Sequence, residues 1–164
     1  MDFELSQTAK EVRGTARAFA ERLKPLAPAW DEAEAIAPEM LREGARLGFF
    51  GLMVSEEYGG LWLDALCCAV AMEELARGSA SYQGCLSVHN SLVCTALQRF
   101  GTPEQKSRYL PRLAAGEFIG AYSLSEPGSG SDVGSISTSA VPAGDGFSID
   151  GAKCWVTNGG IADL

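Results

Sequence analysis

The sequence predicts a mainly α protein with a β portion: an N-terminal helical bundle over residues 1–117, then the first strands of an incomplete β barrel over residues 118–164. Apolar residues recur at helical spacing between capping signals through the first two-thirds of the chain. At Phe118 the pattern changes to short runs of strand composition. Two turn pairs, Asp145-Gly146 and Asp150-Gly151, then separate those runs.

In order along the chain, Val12, Ala16, Phe19 and Leu23 form one apolar face behind a possible Ser6 cap, and Pro25 and Pro28 end that pattern. A short helix is expected from Pro38, presenting Leu41, Ala45 and Leu47 and stopping at Gly48. Residues 57–60 read as a turn. Residues 63–76 are apolar on nearly all sides except at Asp64, Glu73 and Glu74, as in a buried helix. A further helix is expected over residues 83–99, ending at Gly101. Thr102, Pro103 and Gln105 then supply a cap, a first-position proline and a capping-box glutamine, and Pro111 should kink or end the helix they open. Residues 118–126, 135–141, 146–149 and 152–157 read as strands. These are too few to close a barrel, and the pattern is still running at Leu164. A fragment, or a sheet completed by a partner, is expected.

Composition removes several function classes. The net charge of -8 argues against a nucleic-acid binder, which shows a basic face. The acidic N-terminus lacks the basic and apolar regions of a signal peptide, and no apolar stretch approaches the ~20 residues a membrane span requires. Five cysteines, Cys67, Cys68, Cys85, Cys94 and Cys154, have no metal-ligand spacing and fit reduced thiols in a cytoplasm. His89, the only histidine, has no nucleophile elbow to serve, so a hydrolase triad fits poorly.

Two stretches carry the chemistry. Gly128, Ser129, Gly130, Ser131 and Asp132 can turn successive N–H groups toward an anion, although a Gly-Ser loop between strands is the commoner use of such residues. The third glycine, Gly134, falls one residue late for a dinucleotide fingerprint, and no apolar helix follows. Just before it, alternation would send Tyr122 and Leu124 to one strand face and Ser123 and Ser125 to the other. Trp155 and Thr157 would likewise share a face, an indole beside a hydroxyl. An ordinary half-buried strand explains each in isolation. Together, hydroxyls, amides and an indole suit an anionic aromatic cofactor, of which a flavin nucleotide is the natural candidate.

Residues 122–132, Tyr-Ser-Leu-Ser-Glu-Pro-Gly-Ser-Gly-Ser-Asp, and residues 151–160, Gly-Ala-Lys-Cys-Trp-Val-Thr-Asn-Gly-Gly, resemble the two flavin-contacting motifs of the acyl-CoA dehydrogenases. The resemblance extends upstream through residues 53–60, 72–76, 88–92 and 100–106, in family order. It implies FAD as cofactor, with Tyr122, Leu124, Ser125, Gly130, Ser131, Trp155 and Thr157 as its contacts and Ser131 also near the acyl-CoA substrate. Ser125 stands where many relatives have threonine, which keeps the hydroxyl. The implied reaction is α,β-dehydrogenation of an acyl-CoA thioester, with a glutamate base in a C-terminal domain and so expected beyond Leu164. An electron-transfer flavoprotein is the implied acceptor, and a homo-oligomer or a partner subunit the implied assembly. Alternatives of other kinds are an acyl-CoA oxidase or flavin monooxygenase relative, and a non-catalytic truncated subunit completing a flavin site with a partner chain.

Overall fold

The computed structural model describes residues 4–164; residues 1–3, part of the N-terminal stretch read above for a signal peptide, lie outside them. Helix α1 (Gln7–Leu23) opens at Ser6, whose Oγ accepts a hydrogen bond from the Ala9 N–H, and buries Ala9, Ala16, Phe19, Ala20 and Leu23. Pro28 does not end the helical region. It sits in the first turn of a helix that the sequence reading missed, α2 (Ala27–Ala33), where its absent N–H has no helical partner to lose. Helix α3 (Pro38–Arg46) starts as expected, but Leu47 lies beyond its end and is largely exposed.

The buried helix is α4 (Ala65–Gly78), capped by the Asp64 carboxylate on the Cys67 N–H. Its polar residues divide in two. Glu73 is exposed, whereas Glu74 is 3% exposed and receives both Nε and Nη2 of Arg17 at 3.0 and 2.6 Å. This bidentate pair ties α4 to α1, and the Arg17 guanidinium holds the Glu74 carboxyl below its ordinary range. The predicted helix over residues 83–99 is three helical pieces in series. Helix α5 (Ala80–Ser87), capped by Ser79, runs into a π-helix (Val88–Cys94) and then α6 (Thr95–Phe100). The Thr102–Gln105 capping box opens α7 (Pro103–Ala114), and Pro111 lies inside it. One hydrogen bond is forfeited there, to the carbonyl of exposed Ser107, so the helix continues for another three residues.

The larger core joins α1 to α5 through an aromatic cluster. The Phe19 ring centroid lies 5.6 Å from those of both Phe49 and Tyr82, and Trp30 stacks on Tyr82 at 6.5 Å. Fully burying each such side chain contributes about 1.5–3 kcal/mol. A smaller cluster of Val54, Val93, Cys94, Leu110, Leu113 and Ala114 seats α7. Two polar side chains from the π-helix stand inside. Asn90 Nδ2 donates to the Phe49 and Leu86 carbonyls at 2.9 and 3.0 Å, and its Oδ1 accepts from Met53 N–H. His89 Nδ1 accepts from Gly120 N–H at 3.1 Å, so Nε2 carries the proton and donates to the Leu113 carbonyl at 3.1 Å.

The β portion is more sparing than predicted. Strands β1 (Ser139–Ala143) and β2 (Gly146–Asp150) form one antiparallel hairpin. Its two-residue loop is Gly144-Asp145, one position earlier than the Asp-Gly signal suggested, with Gly144 supplying the positive φ of 58° that a tight hairpin turn needs. Residues 118–126 and 152–157 form no strand, Trp155 being left-handed at φ 58° in the second of them, and residues 133–135 are a 3₁₀ turn. Only scattered backbone bonds hold these two segments, such as Cys154 N–H to the Ser125 carbonyl at 2.9 Å and Ala121 N–H to the Leu164 carbonyl at 2.8 Å. Residues 163 and 164 run beside residues 119–121 through three backbone bonds, too few to make a strand, so composition here produces little regular pairing.

Two predictions follow from this packing. A Cβ on Gly44 would approach Tyr82 Oη to 1.9 Å, a contact no rotamer relieves while Tyr82 donates to the Met40 carbonyl. Gly44→Ala should therefore destabilise by about 1–3 kcal/mol despite the better helix propensity of alanine. Tyr82→Phe in the same chain should recover part of that loss, which urea unfolding of the four-member cycle would measure. Second, burial lowers the His89 pKa from 6.5 to about 4. The unfolded chain then binds the proton first as pH falls. Stability should be complete above about pH 6.5 and decline by about 3 kcal/mol toward pH 4, a slope that His89→Gln should flatten.

Candidate functional site

The two motif stretches meet on one side of the β portion. What brings them together is a buried carboxylate. Glu126 ends the first extended segment, and its side chain is 3% exposed. Its Oε1 accepts from Lys153 Nζ at 2.8 Å and from Thr138 N–H at 3.0 Å. Its Oε2 accepts from the N–H and the hydroxyl of Ser137 at 2.7 and 2.8 Å. Four donors around one carboxylate, led by the Lys153 ammonium, hold the Glu126 carboxyl far below the ordinary carboxylate range. Lys153 Nζ also donates to the Leu124 carbonyl at 3.0 Å.

Beyond this junction the predicted residues divide. Tyr122 and Leu124 are each 41% exposed, and Trp155 is 90% exposed. Trp155 adopts φ 58°, a left-handed conformation that breaks strand alternation, so it does not share a strand face with Thr157 as predicted. A bulky residue held there is strained, and such strain collects at functional sites. Thr157, Gly130 and Ser131 are exposed, and Ser125 is half-buried. Among the described residues, the Ser125 and Thr157 N–H groups and the hydroxyls of Ser125, Ser131 and Thr157 have no hydrogen-bond partner in the chain.

Of residues 128–132 in the Gly-Ser loop, only Ser129 uses its N–H on a partner among the described residues. Ser129 N–H donates to the Glu126 carbonyl and Ser129 Oγ to the Asp132 carbonyl at 2.7 Å, and the Asp132 carboxylate accepts from Gly134 N–H and Ser135 Oγ. These donors close the loop on itself, and Ser131 keeps a free hydroxyl. Gly128 and Gly130 face open space.

Sequence reasoning missed Asn158. It takes φ 68° and sends Nδ2 to the Gly120 and Cys85 carbonyls at 2.9 and 3.2 Å, which fastens residues 156–161 to α5. The signal for it was the Asn-Gly pair at residues 158 and 159, since asparagine tolerates left-handed φ. An open cleft of about 700 Å³ lies beside this anchor, lined in part by Trp30, Cys85, Val156 and Thr157. The donor set fits a flavin in kind: an exposed indole and aliphatic side chains for a flat apolar ring, with unengaged amides and hydroxyls for its polar edge.

His89 has no place in this set. It is fully buried and bonded on both nitrogens, as a structural histidine should be. All five cysteines are free, no cluster that could hold a metal occurs among the described residues, and no helix there is long and apolar enough to cross a membrane.

The chain matches two domain models of one family. Residues 6–117 match the family model for the acyl-CoA dehydrogenase N-terminal domain, and residues 121–164 match that for the middle domain. The short-chain specific acyl-CoA dehydrogenase of Clostridium acetobutylicum is 43% identical over 164 residues, which cover 99% of this chain and 43% of the relative. Among solved structures, butyryl-CoA dehydrogenase from Megasphaera elsdenii superposes with a TM-score of 0.92 at 34% identity, covering 99% of this chain and 44% of that one. Glutaryl-CoA dehydrogenase from Mycobacterium smegmatis in complex with FADH2 gives 0.91 at 36% identity, covering 97% and 41%. The chain thus spans about two-fifths of the length of these relatives.

If Trp155 serves a ligand and Trp30 the core, their truncations should differ sharply. Trp30→Ala should cost about 3–5 kcal/mol, whereas Trp155→Ala should change stability by no more than about 0.5 kcal/mol, measured by urea unfolding.

Proposed function

Because the chain belongs to the acyl-CoA dehydrogenase family, we propose that the whole protein is an FAD-dependent dehydrogenase of acyl-CoA thioesters and that this chain forms one wall of its flavin site. The observation that carries the reading is the pairing of exposed, strained Trp155 with the unengaged donors of Ser125 and Thr157 on two adjoining segments. Residues 1–117 act as the helical domain and residues 118–164 as the start of the β domain.

In this reading Tyr122, Leu124 and Trp155 bury the apolar faces of the flavin ring. Ser125 and Thr157 bond its polar edge, with Gly130 and Ser131 beside it. Ser131, whose hydroxyl is free, also meets the acyl-CoA. When bound, the flavin accepts the hydride that leaves the β-carbon of the thioester. The chain's own part is to orient that ring, to exclude water from one side of it, and to direct amide and hydroxyl donors at its electron-accepting edge. Neither of the two buried carboxylates can act as the base that takes the α-proton. A general base works best with a pKa near the operating pH. Lys153 holds Glu126 ionised far below that range, and Arg17 occupies both oxygens of Glu74.

The family also implies an electron-transfer flavoprotein as acceptor and a homo-oligomeric assembly. Five free cysteines fit a cytoplasmic setting. The name of the Clostridium relative makes short acyl chains the first substrates to try.

The test is an anaerobic titration of the purified flavoprotein with a panel of acyl-CoA thioesters. Loss of the flavin's visible absorbance with a short-chain thioester is the expected result, and a flavin that no thioester bleaches would overturn the reading. Oxygen consumption without an added acceptor would instead place the protein with oxidases or monooxygenases. Absence of turnover until a partner chain is added would make this chain one half of a shared site.

A further inference from the structure

Residues 122–125 and 153–157 are joined by few backbone bonds. Between them runs a single one, from Cys154 N–H to the Ser125 carbonyl. Two extended segments with so little ladder can slide or twist against each other, and register is weakly specified without pairing. The constraint comes from side chains. Glu126 gathers Lys153, Ser137 and Thr138 around one carboxylate, and the same Lys153 ammonium reaches back to the Leu124 carbonyl. That last bond has a stereochemical consequence. In a trans peptide the C=O and N–H point to opposite sides. Fixing the Leu124 carbonyl toward Lys153 therefore turns the Ser125 N–H away from it, and that N–H has no acceptor among the described residues.

We infer that Glu126 and Lys153 are positioning residues: a buried clamp that sets the Leu124–Ser125 peptide and the Trp155 segment in the mutual orientation a flavin needs. This rests on the flavin reading above. Neither side chain has to touch the cofactor. Lys153 acts through the Leu124 carbonyl, and Glu126 acts by holding Lys153 and by tying residues 137 and 138 to the same point. The pair is one unit, because Lys153 without Glu126 lacks its buried counter-charge, and Glu126 without Lys153 is a buried carboxylate held by neutral donors alone.

The experiment compares the parent protein with Glu126→Gln, Lys153→Met, their double variant and Lys153→Arg. Two quantities are followed: FAD affinity, and backbone hydrogen exchange resolved by peptide. Each single neutralisation should weaken FAD binding by about tenfold or more, as expected when support behind a binding residue is removed. The double variant should be no weaker than the poorer single, the signature of two groups working as one. Lys153→Arg keeps a cationic donor and should return most of the affinity. Exchange should quicken over residues 122–126 and 153–157 and stay at parental rates through α1, α4 and α7. Parental affinity and exchange in both single variants would overturn the clamp, as would exchange that quickens equally through the helices, which is general loss of stability. A parent that binds no FAD would remove the flavin reading alone. The local exchange pattern would still decide whether this pair orders the two segments.

Discussion

The arrangement of the β portion depends on one wide turn of helix. Over Val88–Cys94 the backbone adopts π-helical bonding, a form that is rare and tends to occur at functional sites. It brings two consecutive polar side chains, His89 and Asn90, into the interior, where each satisfies two backbone positions or more on other elements. Asn90 secures the connection between α3 and α4. His89 secures the end of α7 and, at Gly120, the start of the extended chain. The Gly120 carbonyl then accepts from Asn158, whose amide also reaches α5. A short relay of side-chain brackets thus leads from the helical core to residues 156–161. Such brackets substitute for a sheet. They are specific because each buried polar group would be costly if left unpaired.

Charge is handled in the same manner. The chain carries 21 acidic residues against 13 basic, yet the two carboxylates driven deepest each meet a cation: Glu74 the Arg17 guanidinium on both oxygens, and Glu126 the Lys153 ammonium beside donors from Ser137 and Thr138. The residues proposed to meet the cofactor are neutral by contrast: an indole, aliphatic and phenolic side chains, hydroxyls and free amides. An acidic protein can hold an anionic ligand in this way, because oriented N–H dipoles attract it without a surplus of positive charge.

The helices were legible because their signals are local. Ser6 and the Thr102–Gln105 box each satisfy an amide within three residues, so sequence neighbours suffice to specify them, whereas the Asp64 and Ser79 caps went unread and α5 begins three residues before its expected start. Helix α2 escaped notice because Pro28 can end one helix or begin another, and only the packing of Trp30 on Tyr82 decides between them. The hairpin β1–β2 was legible for the same reason as the caps, its partner lying two residues away. Residues 118–126 and 152–157 were not. Their composition favours extension, but pairing needs neighbours distant in sequence, and Trp155 leaves strand geometry altogether.

The candidate site shows the same division at the level of single residues. Tyr122, Ser125, Trp155 and Thr157 could be named because they sit in recognisable strings. Glu126 and Lys153 lie in those strings too, 27 residues apart, but nothing local announces that they meet. The glutamate before Pro-Gly belongs to the strand-end motif and the lysine two residues after Asp-Gly to the second string, and neither is distinguished there from its neighbours. Only burial changes their meaning, for once the carboxylate is enclosed it must collect donors, and those donors decide which segments become neighbours. The residues proposed to face the ligand can therefore be named from sequence, while the pair proposed to aim them comes together only in three dimensions. Substitutions at Glu126 or Lys153 should accordingly be felt at Ser125 and Trp155, and weakly, if at all, in a helical core that has its own aromatic cluster and its own ion pair.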